Sequence, residues 1–200
     1  MDSATALYLT RQTNSIRAIT FEFQGIAKRE VESARAIADS AGVVEHRSVR
    51  LPDLREAGGI PGFSLGPRPP TYIPVRNSIF YAFAASVAEE TGATLIVGGH
   101  NRDDAKIFDD VSSRFFEAQQ AAFLAASPVL RRNRVRIVRP LRLKSKAQVV
   151  SLASRLGVPL EMTWSCHRDG EEHCWECPGC TSRREAFQMA GVADPLADSW

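Results

Sequence analysis

All four cysteines of the 200-residue chain fall within its last quarter, as Cys166, Cys174, Cys177 and Cys180, at spacing Cys-x7-Cys-x2-Cys-x2-Cys. Two thiolates separated by two residues can bend round one tetrahedral ion, and Pro178-Gly179 is the expected turn that brings Cys177 and Cys180 together. Four sulfurs close a coordination sphere and leave no position for substrate, so the expected occupant is one structural zinc ion. A disulfide pair and an iron–sulfur cluster are the competing uses of the same cysteines. His167 and His173 could each replace a sulfur, but with four cysteines present they read as outer groups.

A second set of reactive residue types lies in the run Gly98-Gly99-His100-Asn101-Arg102-Asp103-Asp104. Its carboxylates could hold magnesium or the polar edge of a ligand; acidic loop residues are otherwise simply solvated. Between Ala118 and Leu160 there is no Asp or Glu, while Arg131, Arg132, Arg134, Arg136, Arg139, Arg142, Lys144, Lys146 and Arg155 all occur there. An anionic partner, nucleotide phosphate or nucleic acid, is one reading, and a solvated basic face is the other. Within this stretch Lys146 is the candidate for neutralising phosphate charge. Arg76 and Asn77 follow a Gly- and Pro-rich segment and open a helix, where they can reach a substrate or phosphate or can serve only the helix start. Trp164 reads as packing for the cysteine module rather than as a base-stacking platform.

The elements that must position these groups follow from periodicity. Residues 17–23 alternate as a strand, and 28–41 carry apolar residues at helical spacing closed by Gly42. Another strand is expected over 43–49, a helix over 76–90, and an apolar strand over 93–97 of the kind buried on both faces of a parallel sheet. A helix over 115–126, a strand over 135–138, a helix over 145–156 with a Ser145/Gln148 capping box, and a terminal helix over 182–189 complete the pattern. Residues 2–13 read as helix, with Asp2 or Ser3 as N-cap, and 51–74 as a long surface loop. The expected fold is α/β, a doubly wound parallel sheet, with a nucleotide-binding unit over 1–160 and a cysteine module with its helix over 161–200. In such a sheet ligands gather at the C-terminal strand ends, where Gly98–Asp104 lies.

No apolar run reaches the length needed to cross a bilayer, and reduced cysteines fit a cytoplasmic protein. The net charge of +2 excludes neither a nucleotide nor a nucleic-acid partner.

The runs Asp2-Ser3, Thr20-Phe21-Glu22-Phe23, Tyr72-Ile73-Pro74-Val75-Arg76-Asn77, Ser145-Lys146-Ala147, and Gly157-Val158-Pro159-Leu160-Glu161-Met162-Thr163-Trp164-Ser165-Cys166 occur in one order. With Cys174-x2-Cys177-x2-Cys180 and Arg183-Arg184-Glu185-Ala186-Phe187 after them, the chain resembles the 7-cyano-7-deazaguanine synthase family of the PP-loop ATP pyrophosphatase superfamily. The resemblance covers nearly the whole chain. It implies an ATP-dependent ligase that converts 7-carboxy-7-deazaguanine and ammonia to a nitrile precursor of queuosine or archaeosine, with Mg²⁺ and one structural zinc. It also implies a homodimer that needs no direct contact with nucleic acid. By motif position Asp2, Ser3 and Asn77 are expected at the nucleotide and Lys146 and Arg76 at the reacting groups, while Phe21 and Phe23 read as core and, by position only, as neighbours of the adenine pocket. Of the superfamily's Ser-Gly-Gly-x-Asp-Ser, only x-Asp-Ser stands here, at Met1-Asp2-Ser3. The expectation is therefore a start upstream of Met1. Without the strand that normally precedes the motif, a hole should separate two central strands; an inactive paralogue is the alternative. The run at Gly99–Ala105 differs from the typical bacterial substrate loop.

Two other functions compete: a related adenylylating enzyme for tRNA thiolation, and a non-catalytic zinc protein that binds RNA through its arginines.

Overall fold

The computed structural model describes residues 1–54, 56 and 72–196. The loop expected over 51–74 therefore lies mostly outside the described residues. Helix α1 spans Asp2–Thr10, strand β1 Arg17–Phe23, helix α2 Lys28–Ala41 and strand β2 Glu45–Leu51. Helix α3 covers Arg76–Thr91 and strand β3 Leu95–Val97; α4 (Ser113–Ala126), the short α5 (Pro128–Arg132), β4 (Arg136–Val138), α6 (Lys146–Arg155) and α7 (Pro178–Ala190) follow.

The strands form two parallel pairs. β1 lies beside β2 over their full lengths, from Arg17 opposite Glu45 to Phe23 opposite Leu51, and β3 lies beside β4, from Leu95 opposite Arg136 to Val97 opposite Val138. Among the described residues no strand joins β1 to β3. The expected parallel α/β order is present, but it is interrupted at its centre. Helix α3 spans the interruption: Phe80 stacks on Phe21 of β1 at 4.1 Å between ring centroids, while Tyr81, Ala85 and Ala88 pack with Ile96 of β3.

Helices lie in two groups, as a doubly wound arrangement requires. Ala4 and Tyr8 of α1, Ile37 and Ala41 of α2, Val150 and Ala153 of α6, and Ala186 and Phe187 of α7 share one apolar core. α3, Phe116 of α4 and Leu130 of α5 build the other around Ile96 and Val135. The pattern of small residues facing large ones in the first core, alanine against tyrosine and phenylalanine, lets α1, α2, α6 and α7 approach closely.

Several local expectations need correction. Met1, not Asp2 or Ser3, is the N-cap of α1, no side chain caps it, and the helix ends at Thr10, before the expected Thr13. β2 lies two residues later than 43–49, because Gly42, in the left-handed conformation at φ 65°, and the two residues after it are consumed in leaving α2. The apolar run 93–97 is strand only over Leu95–Val97, with Ile96 alone fully buried. α7 starts at Pro178, not 182, so Pro178 and Gly179 form its first turn rather than a separate turn. Pro128–Arg132 is a helix that periodicity missed, since five residues are too few for a 3.6-residue period to show; its start is marked by Ser127 accepting from the Leu130 amide and by Pro128. The Ser145/Gln148 capping box of α6 is formed on both sides.

The cysteine module is tied to the rest by Arg183. Its side chain is fully buried and, within the module, donates to both carboxylate oxygens of Asp194 at 2.7 and 2.8 Å and to the Thr163 carbonyl and hydroxyl at 3.1 and 2.7 Å; the bond that leaves the module is to the Leu160 carbonyl at 3.1 Å. A planar guanidinium suits this enclosure because its forked donors are all satisfied without water.

Candidate functional site

Beyond β3 the chain turns through Gly98 and Gly99, and both glycines are required by close approach. A Cβ on Gly99 would lie 2.7 Å from both Cα and N of Ser3, and one on Gly98 would lie 1.7 Å from the Tyr81 hydroxyl. The first turn of α1 thus rests directly on the end of β3, and Asp2 comes to face the loop that follows. Asn101, 1% exposed, organises that loop: its Oδ1 accepts from the amides of Asp103 and Asp104 at 2.7 and 3.1 Å, and its Nδ2 donates to Asp2 Oδ2 at 3.4 Å. This is an Asx turn, the reason asparagine suits the position. The turn potential of Asn101 was the readable signal, though its reach to Asp2 was not.

Lys146, at the start of α6, reaches the same point. Its Nζ lies 3.2 Å from Asp2 Oδ2, and its amide donates to Asp103 Oδ2 at 3.0 Å. Burial opposes its charge, but Asp2 and Asp104 outweigh that and raise its pKa, so the ammonium is held charged. Asp104 is pushed towards its protonated form as well: burial, then the neighbouring Asp2 charge, raises its pKa. Asp2 Oδ1 is buried without a hydrogen-bond partner. Two facing carboxylates, one with an open oxygen, meet the Lys146 ammonium here. Asp103 belongs to the rim, where Lys106 meets it at 3.0 Å and the Lys146 amide lowers its pKa first.

Asp2, Ser3 and Lys146 are thereby gathered at one strand end. Asn77 is elsewhere engaged: its side chain is buried and donates to the Asp110 carbonyl at 3.1 Å, fixing the start of α3 to the turn before α4. Arg76 stands beside it with its guanidinium 6.0 Å from the Phe80 ring, close enough to act on His100. Phe21 and Phe23 pack with Phe80.

The four cysteine sulfurs lie within 4.8 Å of one another, with Cys174 to Cys180 and Cys166 to Cys177 both at 3.9 Å. Zinc–sulfur bonds of about 2.3 Å in a tetrahedron require sulfurs about 3.8 Å apart, whereas a disulfide requires about 2.0 Å. The donor set fits a tetrahedral ion and no pair is bonded. Amides of Arg168 and His167 donate to Cys166 and Cys177 at 3.4 Å, and the Cys177 amide donates to Cys174 at 3.4 Å. Such donors favour thiolate, and backbone hydrogen bonds, led by Glu176, lower the Cys174 pKa to about 6. Gly179 is needed here, since a Cβ would lie 2.0 Å from the Ser165 carbonyl oxygen. Neither histidine belongs to the cluster: His173 accepts from the Ser165 amide at 3.0 Å and lies between Trp164 and Trp175. Trp164 packs in this module, as expected.

Parallel strands between two helical groups, a charged site at the end of β3 and an appended four-cysteine cluster that could hold a metal fit an α/β protein of the PP-loop class. Residues 1–191 match the family model described as queuosine biosynthesis protein QueC. The chain is 36% identical over 213 residues to the 7-cyano-7-deazaguanine synthase of Trichodesmium erythraeum, covering 98% of this chain and 95% of that protein. It is 34% identical over 207 residues to the enzyme of the same name from Thermoplasma acidophilum, covering 98% and 87%. The chain belongs to the QueC family, whose named members make 7-cyano-7-deazaguanine for queuosine biosynthesis.

Proposed function

We propose that this protein is an ATP-dependent nitrile synthase that converts 7-carboxy-7-deazaguanine and ammonia to 7-cyano-7-deazaguanine. The observation that carries the reading is the meeting of Asp2, Ser3, Asp104 and Lys146 at the end of β3. A carboxylate is a poor acylating agent because its leaving group would be oxide or hydroxide. Attack of a carboxylate oxygen on the α-phosphorus of ATP expels pyrophosphate and leaves an acyl adenylate, which ammonia opens to an amide with loss of AMP. The amide oxygen then attacks a second ATP, again expelling pyrophosphate, and loss of AMP together with both protons of the amide nitrogen leaves the nitrile. Phosphoryl chemistry of this kind needs positioning and neutralised charge more than it needs a nucleophilic side chain.

Lys146 supplies a held positive charge for phosphate oxygens. Magnesium, with Asp2 and Asp104 as its ligands, would relieve their mutual repulsion and use the open Asp2 oxygen. Ser3 and the first amides of α1 face the phosphates, and Arg76 is the second cation for the reacting groups. Asn77 acts at the nucleotide only by holding the start of α3. Zinc is the proposed ion of the cysteine cluster, in a structural role, and a homodimer follows from the family resemblance. A tRNA-thiolating relative often needs a catalytic cysteine or an iron–sulfur cluster outside a closed zinc site, and all four cysteines here stand in the cluster.

The test is turnover. The purified protein, given 7-carboxy-7-deazaguanine, ammonia and MgATP, should form AMP, pyrophosphate and the nitrile, read by mass spectrometry. Lys146→Met should cut the rate by on the order of 10²-fold or more. Absence of the nitrile with an intact, folded wild-type chain would sink the proposal.

A further inference from the structure

Tyr81 is buried to 94%, with 6% of its surface exposed, and its hydroxyl has no hydrogen-bond partner among the described residues. A phenylalanine would pack as well there and cost nothing in desolvation, so the hydroxyl is not explained by packing. It lies directly on the backbone of Gly98, where any side chain would displace it. The neighbouring glycine carries Ser3 of the nucleotide end in the same way. The hydroxyl thus lies at the C-terminal edge of β3, on the α3 side of the strand end, whereas Ser3 meets it from the α1 side.

Arg139 stands at the corresponding edge of β4. Val97 is paired with Val138, and the Gly98 amide donates to the Val138 carbonyl at 3.0 Å, so Gly98 and Arg139 leave the strand pair side by side. The Arg139 guanidinium lies 4.3 Å from the Phe116 ring, and Tyr81 meets the same ring edge-on at 4.9 Å. Arg139 donates to the Val111 carbonyl at 3.2 Å and to Ser113 Oγ at 3.4 Å, which leaves part of its donor fork uncommitted among the described residues. His100 completes the cluster, its ring 5.9 Å from Tyr81 and 5.4 Å from Phe116. Burial, then the positive charges of Arg76 and Arg139, hold its pKa near 4, with Asp2 the opposing charge. Glu117 is the acid that acts on Arg139.

We propose that Tyr81 and Arg139 form an oxyanion subsite at the ends of β3 and β4, which takes either the carboxylate of the small-molecule substrate or a phosphate of the nucleotide. The Tyr81 hydroxyl donates one hydrogen bond and the free part of the Arg139 fork supplies charge and a second donor. His100 lies beside Gly98, its Cδ2 3.1 Å from where a Cβ would stand, and so borders the subsite. The inference rests on the nitrile-synthase reading for the identity of the anion, not for its existence.

Tyr81→Phe tests it, because the ring packing is kept and only the hydroxyl is removed. Equilibrium binding of 7-carboxy-7-deazaguanine and of MgATP would be measured separately, with thermal unfolding of each protein. The expected result is a loss of about tenfold in affinity for one of the two, ~1.4 kcal/mol, with a melting temperature equal to or above that of the wild type. Weakened carboxylate binding assigns the subsite to the substrate, and weakened ATP binding assigns it to phosphate. Arg139→Met should weaken the same ligand. Unchanged affinity for both ligands in Tyr81→Phe would overturn the subsite. Wild-type protein that shows Tyr81-dependent binding yet makes no nitrile would instead sink the proposed reaction and leave the subsite standing.

Discussion

His100 sits where burial and two arginines all work against its proton. Its folded pKa of about 4 lies below the ordinary value of 6.5. Between those values the unfolded chain takes up a proton that the folded chain refuses, so stability falls as the pH drops from about 6.5 towards 4 and is fully present above that window. Urea unfolding at pH 7 and pH 5 should show this loss in the wild type and a smaller loss in His100→Gln. An equal loss in both would mean that other groups carry it, His173 among them, whose pKa is also lowered to about 4 by burial first. Asp104 and Lys146 are pushed towards their protonated forms by different causes, burial for the acid and neighbouring carboxylates for the lysine. That difference could not be read from residue types, because it depends on which side chains share the enclosure.

At the scale of elements, the site exists because α1 can rest on the end of β3. Gly99 permits this, and the obstruction a Cβ would meet is Ser3 backbone, which cannot swing away as a side chain could. Gly99→Ala should therefore push the first turn of α1 outward, separate Asp2 from Lys146, and lower turnover by on the order of 10²-fold while leaving the tetracysteine cluster able to bind metal. Metal content and ATP affinity measured on one preparation would check this; unchanged ATP affinity would show that the contact positions nothing. α6 was legible in outline because its capping signals are local. Where α7 begins was not, since Pro178 and Gly179 suit a turn and a helical first turn equally, and the choice is made by Cys177 and Cys180 converging with Cys166.

For the whole molecule, two devices hold the C-terminal part in place: the four cysteines, and the buried Arg183–Asp194 pair with its bonds to Leu160 and Thr163. α7 also shares its core with α1, α2 and α6, so loosening the cysteine cluster reaches the helices that carry Asp2 and Lys146. Removing metal with a chelator should release one zinc ion per chain and lower the melting temperature. If free zinc had stood a thousandfold above its dissociation constant, the loss is roughly 4 kcal/mol. Loss of activity with no thermal shift would contradict a structural role. The interruption between β1 and β3 belongs to this scale too. Each strand has a partner on one side, and α3 crosses between them through Phe80 on Phe21 and Tyr81 beside Ile96.

The cysteine spacing, the parallel α/β order and the family resemblance were determined by sequence alone, because each is written in residues a few positions apart. So was the pairing of Ser145 with Gln148, which are neighbours on one turn. Only the tertiary structure decided that Lys146 meets Asp2, that Asp104 rather than Asp103 faces them, and that Asn77 is spent on Asp110. It also decided that a tyrosine hydroxyl lies unpartnered on Gly98. These contacts join residues far apart in the chain, and their energies come from burial and charge, which exist only once the helices have closed around the strand ends.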